Sequence, residues 1–319
     1  MKFNIKIRKI FAELFGLFGA RPNLFFPKNF EINVLNYHFF SKDNDGSVEL
    51  EDLEINISVL EKQLLFFSKE CEIINVKNQD IKSIRSSLKP QLLLTIDDGD
   101  LSTLEALKIF SKYEIPAILF IPFGLCLPDD HPDGIKSRLF NIYSSQEFSI
   151  EEKRQFFRVV SKNNNEINKN LLEQYLEMYP ANLNLKRKKI SMKKLNQLAH
   201  SDLFTISSHS MSHPIMSALP KEWQQWEIET AKKYVKDIGG NIDFFAYPFG
   251  FAKSFNTITK DILNMKDISY AFTTRSRLKY NNNALLEIGR TGVHNISSKY
   301  YLRGLANGVF ELFDRILSR

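Results

Sequence analysis

The run Leu92-Leu93-Leu94-Thr95-Ile96 ends in Asp97-Asp98-Gly99, so an apolar segment of strand length delivers two adjacent carboxylates at its C-terminal end. Its apolar side chains demand burial, which makes it a core strand of a sheet. The next twenty residues narrow the choice of fold. Ser102 caps a helix reaching about Tyr113, with Leu104, Leu107, Ile109 and Phe110 among its apolar residues, and Pro116 opens a second strand over residues 117–121. Strand, helix and strand in that order form a βαβ unit, whose strands pair in parallel. Further strands are expected at residues 32–37, 203–207, 244–247, 270–273 and 286–288. Helices are expected around residues 59–67, from Ser191 to Leu198, and from Pro220 to the Gly239-Gly240 stop. The 319 residues, 43% hydrophobic and 25% charged, suit one large α/β barrel domain, or two small domains, with a core of adequate size.

A second motif, His209-Ser210-Met211-Ser212-His213, comes after the strand-like Phe204-Thr205-Ile206. Its two imidazoles are spaced by one helical turn, so both can face one point. Taken alone, Asp-Asp-Gly after a strand is a turn, and two histidines at this spacing are incidental surface residues. Taken together, both motifs sit at strand ends, where barrels and doubly wound sheets carry their sites. They offer one carboxylate and two imidazoles to a single cation, and a second carboxylate is left for proton transfer. Three protein ligands with open positions make a catalytic rather than a structural zinc site. Zinc suits such nitrogen and oxygen donors, and a labile site also accepts Co2+, Ni2+ or Fe2+. Cys71 and Cys126 are the only cysteines, which excludes a zinc site built on cysteine and a disulfide framework.

A net charge of +6 favours anionic surfaces such as lipid headgroups or acidic glycans. No zinc finger, RNA-recognition signature or long Lys/Arg cluster points to nucleic acid. Nor is there a Gly-rich phosphate loop, a nucleophile elbow or an internal repeat. No stretch is apolar enough to span a bilayer. Lys2, Lys6, Arg8 and Lys9 precede an apolar segment, but Glu13 interrupts it, and Phe18 stands where a cleavable leader needs a small residue. Residues 1–30 therefore read as a basic amphipathic segment with Phe11, Leu14, Phe15 and Phe18 on one side. Such a segment implies peripheral contact with a membrane. The expected location is the cytoplasm or the inner membrane face, with secretion or the cell surface as the alternative.

The paired motifs resemble the metal-binding signature of the polysaccharide deacetylases, the NodB-homology family. A third stretch, Phe244-Phe245-Ala246-Tyr247-Pro248-Phe249-Gly250, resembles that family's substrate-side loop. Asn36-Tyr37-His38, after Ile32-Asn33-Val34-Leu35, resembles the opening strand of the branch acting on poly-N-acetylglucosamine-like polymers. The resemblance spans residues 32 to about 293. It implies a distorted (β/α) barrel of about seven strands, with Asp98, His209 and His213 on the metal and Asp97 as general base. It further implies an oxyanion donor from a backbone N–H in the Tyr247-Pro248 loop. The leaving sugar amine needs a proton from a histidine, and the candidates are His38, ahead of His294. The sequence departs from the family pattern in two places. No Arg precedes Pro248 within the third stretch, and no C-terminal Leu-x-His motif is evident. Arg290 could replace that Arg on the substrate side, or make a surface salt bridge. Tyr247, Pro248, Arg290 and His294 are thus the expected substrate-side residues.

Residues 31–295 would then form the catalytic domain, with a helical insertion at about 125–190 beside the cleft. Residues 296–319 form a C-terminal amphipathic helix with Leu302, Leu305, Val309, Leu312, Phe313 and Ile316 on one face. The implied activity is metal-dependent hydrolysis of N-acetyl groups on amino sugars of a surface polysaccharide or its lipid-linked precursor. The alternatives are an amidase or O-acetyl esterase on another acylated substrate, and a non-catalytic glycan-binding relative. The presence of base and ligands together argues against the last.

Overall fold

The computed structural model describes residues 32–42, 52–77, 80–161, 169–275 and 284–310, apart from 86, 147 and 180–182, together with residues 10, 13, 14, 16 and 17. The strands are β1 (Ile32–Tyr37), β2 (Phe39–Ser41), β3 (Glu54–Asn56), β4 (Glu72–Ile73), β5 (Gln91–Ile96), β6 (Ala117–Ile121), β7 (Phe204–Ser208), β8 (Phe244–Ala246), β9 (Tyr270–Phe272) and β10 (Thr291–Gly292). The main sheet runs β10-β1-β5-β6-β7-β8-β9, with every neighbouring pair parallel. β4 pairs with the start of β5, and β2 and β3 form a separate parallel pair. Ile288 ties the last strand back to the first. Its amide donates to Ala271 O and its carbonyl accepts from the Thr273 amide, both at 2.8 Å, three residues before β10 joins β1. Seven strands thereby form a distorted (β/α) barrel.

Strand parity decides what the barrel contains, because side chains alternate between its inside and its outside. Leu35, Leu92, Leu94, Ile96, Leu119, Ile121 and Ile206 face outward into the largest apolar cluster, where helices cover them. Ile32, Val34, Leu93, Ile118, Phe120, Phe244, Ala246 and Phe272 form a separate inner cluster. Continuing the inward register by twos leads from Val34 to Asn36 and His38, and from Leu93 to Thr95 and Asp97. The same step leads from Thr205 to Ser207 and His209. The barrel is thus apolar low down and polar at the C-terminal mouth, and only the mouth can do chemistry.

The helices are α1 (Ile57–Glu70), α2 (Thr103–Lys112), α3 (Pro132–Ser145), α4 (Ile150–Ser161), α5 (Lys169–Met178), α6 (Leu183–Lys186), α7 (Met192–Ala199), α8 (Lys221–Asp237), α9 (Thr257–Met265) and α10 (Lys299–Ala306). The segment from α3 to α6 interrupts the strand–helix alternation and has its own aromatic core. There Phe140 stacks on Trp223 of α8 with ring centroids 4.1 Å apart, and Phe156 and Tyr175 join them. α4 begins with the reciprocal pair expected from Ser149 and Glu152: each side chain accepts from the other's backbone amide. α10 packs Tyr301, Leu302 and Leu305 into the main cluster. The expected single helix over 296–319 is corrected: α10 ends at Ala306, and the chain turns at Asn307 and the left-handed Gly308, φ 72°. Residues 311–319 and most of the basic N-terminal segment, Phe11, Phe15 and Phe18 included, lie outside the described residues. No helix among the described residues is long and apolar enough to cross a membrane.

Two further local expectations are corrected. Ser102 stands at the N-cap of α2 but makes no capping bond: its hydroxyl accepts from the Phe40 amide and donates to Asp100. The fixed position of Asp100, salt-bridged to Arg187, outcompetes the helix end for that hydroxyl. Residues 286–288 do not form a strand of their own. A 3-10 turn covers Ala284–Leu286, Ile288 makes a single bridge, and the regular pairing falls at β10.

Candidate active site

Asp97 comes directly after β5, on the inward parity, and is buried. Arg290 reaches it from the segment that closes the barrel, in a bidentate contact with Nη1 to Oδ1 and Nη2 to Oδ2 both at 2.7 Å. The guanidinium is itself held on every side. Its Nε donates to Thr273 O at 3.1 Å, Nη1 donates to Asn36 Oδ1 and Thr95 Oγ1 at 3.2 Å each, and the Phe120 ring lies 5.5 Å away. Asn36 Nδ2 donates to Asp97 Oδ2 at 3.0 Å. Burial pushes the Asp97 carboxyl up, but the Arg290 charge and hydrogen bonds outweigh it, so the group lies below its ordinary range and is ionised. Arg290 is corrected in one respect: it is 1% exposed, so it is neither a surface ion-pair partner nor a group that touches substrate. It holds the Asp97 carboxylate from within the barrel.

Asp98 leaves the strand in a left-handed conformation, φ 71°, and Gly99 comes next at 57°. Aspartate tolerates that region better than most residues, and glycine enters it without cost. The turn brings consecutive carboxylates, which a regular strand would send to opposite faces, to one mouth. Asp98 Oδ1 lies 3.1 Å from His213 Nε2 and 3.6 Å from His209 Nε2. The three ligand atoms lie within 4.8 Å of one another, all on buried residues. Donors around a tetrahedral zinc stand about 3.3 Å apart, so the two shorter separations bracket what a zinc ion needs. Two further observations fit a cation. Asp98 Oδ1 is a buried oxygen with no hydrogen-bond partner. His209 Nδ1 lies 2.8 Å from Ala246 O, which assigns the proton to Nδ1 and turns the Nε2 lone pair to the site. Burial lowers the His209 pKa to about 4, so the ring is neutral at pH 7, as a ligand must be.

The spacing of the histidines does not reflect a helix. Residues 209–213 form a loop in which Ser210 (φ 66°) and His213 (φ 54°) are both left-handed. Glu227 of α8 organises it. Its carboxylate accepts from the amides of Met211 at 2.8 Å and Ser212 at 2.9 Å, and from the Ser212 hydroxyl. Asn141 Nδ2 donates to Ser212 O at 2.7 Å from the insertion helix α3. Backbone strain at a site persists only where surroundings impose it, and these two side chains do so. Glu227 was not singled out from the sequence, yet it left a signal. It falls at four-residue steps between Trp223, Ala231 and Val235, a carboxylate within a buried apolar stripe. Such a group needs partners.

Tyr247 is also placed differently from expectation. It is buried, its ring stacks on Phe255 at 3.9 Å, its hydroxyl donates to Leu286 O, and its amide donates to Phe272 O. Pro248 has no N–H, so neither residue supplies an oxyanion donor. They shape the loop that carries Phe249, whose ring lies 4.7 Å from that of His213 and is 41% exposed. His38 extends from the end of β1 into the mouth, with Nε2 3.9 Å from Asp97 Oδ2 and 3.4 Å from Asn36 Nδ2. His294 turns elsewhere: Nδ1 lies 3.3 Å from Asp52 O, and its ring approaches Phe310.

Residues 154–271 match the family model for polysaccharide deacetylase. The matched stretch holds His209, His213 and the Tyr247-Pro248 loop, and Asp97 and Asp98 join them through the fold. A Streptococcus pyogenes deacetylase, PplD, solved in complex with acetate, has a TM-score of 0.58 at 18% identity, over 85% of this chain and 96% of that one. IcaB from Ammonifex degensii gives 0.55 at 18% identity, over 86% and 97%. A de-N-acetylase from Aggregatibacter actinomycetemcomitans gives 0.55 at 13% identity, over 86% and 99%. At these identities the likeness is one of fold. No curated protein sequence matches the chain. The polysaccharide deacetylase model thus matches the part of the chain that carries the histidine pair and the Tyr247-Pro248 loop, and solved deacetylases share its fold.

Proposed function

We propose that the protein is a metal-dependent N-deacetylase of amino sugars in a surface polysaccharide or its lipid-linked precursor. The observation that carries this reading is the pairing of two carboxylates with opposite environments at one mouth. Asp98 presents an orphaned oxygen to two imidazoles, and Asp97 is clamped by Arg290 beside them. A divalent cation held by Asp98, His209 and His213, most fittingly zinc, would supply polarisation of the acyl carbonyl and an acidified water. Asp97 Oδ2 accepts a proton from water. Arg290 and Asn36 hold that oxygen in place and keep it ionised beforehand. His38 Nε2, 3.9 Å from Asp97 Oδ2 at the mouth, donates a proton to the departing sugar nitrogen, which could not otherwise leave as an amine. Its 18% side-chain exposure gives it access to substrate and to solvent protons.

Metal analysis together with acetate release from N-acetylglucosamine oligomers tests the reading. His209→Ala should stay folded by circular dichroism, lose the bound metal and release no acetate. Full metal content in that variant would remove the site from consideration. His38→Ala should keep its metal and lose about 10²-fold in kcat on the amide, with a much smaller loss on an activated acetyl ester, whose leaving group needs little protonation. Equal losses on both substrates would deny His38 the role of acid.

A further inference from the structure

A cavity of about 660 Å³ opens beside the site, between the turn after β5, the turn after β6 and the end of the helical insertion. Its floor is apolar, from Leu101, Leu125 and Leu127. Its rim is cationic, from Lys186, Lys188 and Lys193, with Arg138, Arg187 and Lys189 also on the lining. Asp129 is the only acidic residue of the lining, and it is taken up by Arg138 at 2.8 Å. Arg187 is likewise neutralised, by Asp100 through Nε at 2.6 Å and Nη2 at 2.9 Å, and lies over the Phe39 ring. Among the described residues no carboxylate pairs with Lys186, Lys188 or Lys193. Three exposed lysines therefore line one concave space, with no carboxylate partner among the described residues.

The cavity is coupled to the catalytic turn by backbone. The Ile190 amide donates to Gly99 O and the Leu101 amide to Lys188 O, both at 2.9 Å, and Asp100 bridges Lys189. The segment 188–190 is thus stitched to the three residues after Asp98. Leu101 and Leu125 each lie just past the C-terminal end of their strand, so the cavity opens at the same end of the barrel as the site. A glycan that occupies the mouth at Asp97 has this cavity within the same end of the barrel to receive a neighbouring unit.

We propose that this cavity binds a phosphoryl group carried by the substrate glycan next to the sugar that is deacetylated. The proposal rests on the deacetylase reading and specifies its substrate class. An apolar floor suits the face of a sugar ring, and ammonium groups suit phosphate oxygens as charge-assisted donors. An uncharged amino-sugar polymer would have no use for three unpaired cations, and a membrane surface is too flat to enter the space.

The test uses the zinc-loaded full chain and the variant Lys186→Gln/Lys188→Gln/Lys193→Gln. Acetate release is compared among an uncharged N-acetylglucosamine tetrasaccharide, the same oligomer with a methyl phosphodiester at its reducing end, and the same oligomer with a diphosphate there. The expected result is a kcat/KM about tenfold higher for the phosphorylated oligomers, arising in KM, with that advantage lost in the variant. A larger gain for the diphosphate assigns the group to a lipid-linked precursor, and a larger gain for the phosphodiester assigns it to the polymer. No advantage in the wild type, or an unchanged advantage in the variant, overturns the proposal. Calorimetric binding of the same oligomers separates the two readings. If none is deacetylated but the phosphorylated ones still bind through the three lysines, the deacetylase reading fails and the cavity assignment stands. If the variant instead loses only its binding to vesicles of phosphatidylglycerol and phosphatidylcholine, the lysines serve a membrane and the proposal is wrong.

Discussion

Asp97→Asn is expected to retain its metal and its fold while acetate release falls by about 10²–10⁴-fold, the usual scale for losing a general base. The substitution preserves the size of a buried side chain and leaves Asp98, His209 and His213 untouched. One amide oxygen can still accept from Arg290. In either orientation the amide NH2 faces an Arg290 N–H, and the buried guanidinium loses its counter-charge, so a fall in stability of about 3–5 kcal/mol accompanies the change. Metal content by elemental analysis and initial rates on an N-acetylglucosamine oligomer measure the two halves of this expectation. An active Asp97→Asn enzyme would reduce Asp97 to a structural residue of the turn.

Arg290→Met should damage the protein as a whole and change its pH dependence as well. It leaves an ionised carboxylate buried without its partner, and breaking a buried pair from one side costs about 3–5 kcal/mol. It also reverses the balance at Asp97. Burial alone pushes that carboxyl up, and Arg290 is the largest of the influences that hold it down. With the guanidinium gone the group protonates at higher pH. A base works only when ionised, so the acidic limb of the kcat profile should move to higher pH, with residual activity recovered as pH rises. Chemical denaturation and a pH–rate profile read these effects separately. An unshifted acidic limb would show that Arg290 serves stability alone.

These two variants probe an interaction that joins residues 193 positions apart, and it illustrates what could be read in advance. The inward register of β1 and β5 is visible as alternation: Val34, Asn36 and His38 on one strand, Leu93, Thr95 and Asp97 on the other. The strands that deliver the Asp pair and the histidine pair lie where their apolar runs place them, and α4 begins with the Ser149–Glu152 box. These features depend on a few neighbouring residues, so local periodicity and capping chemistry suffice. The histidine spacing suggested one helical turn, whereas the chain uses two left-handed residues braced by Glu227. Spacing by four is compatible with both, and only the brace chooses. Ser102 shows the same limit, because a hydroxyl at a helix start bonds to whichever acceptor the fold presents first.

Tyr247 and Arg290 mark the boundary most clearly. Both stand near expected substrate-side positions, and both are buried: one fills the space between β8 and α9, and the other lies behind Asp97. Whether a side chain at a strand end points to solvent or into the barrel depends on where the ring of strands closes. That closure runs through the single bridge at Ile288, which no local pattern announces. The sequence by itself determined the strand order's raw material, the apolar inner face and the identity of the groups that can bind a cation or take a proton, because these depend only on residue type and short-range period. The tertiary structure alone decided that Asp98 turns back to the histidines, that Arg290 meets Asp97, and that Lys186, Lys188 and Lys193 line a cavity beside the turn after β5. Each of these contacts is set by barrel closure and helix packing over long sequence separations, where the free energy belongs to the whole fold and not to any segment.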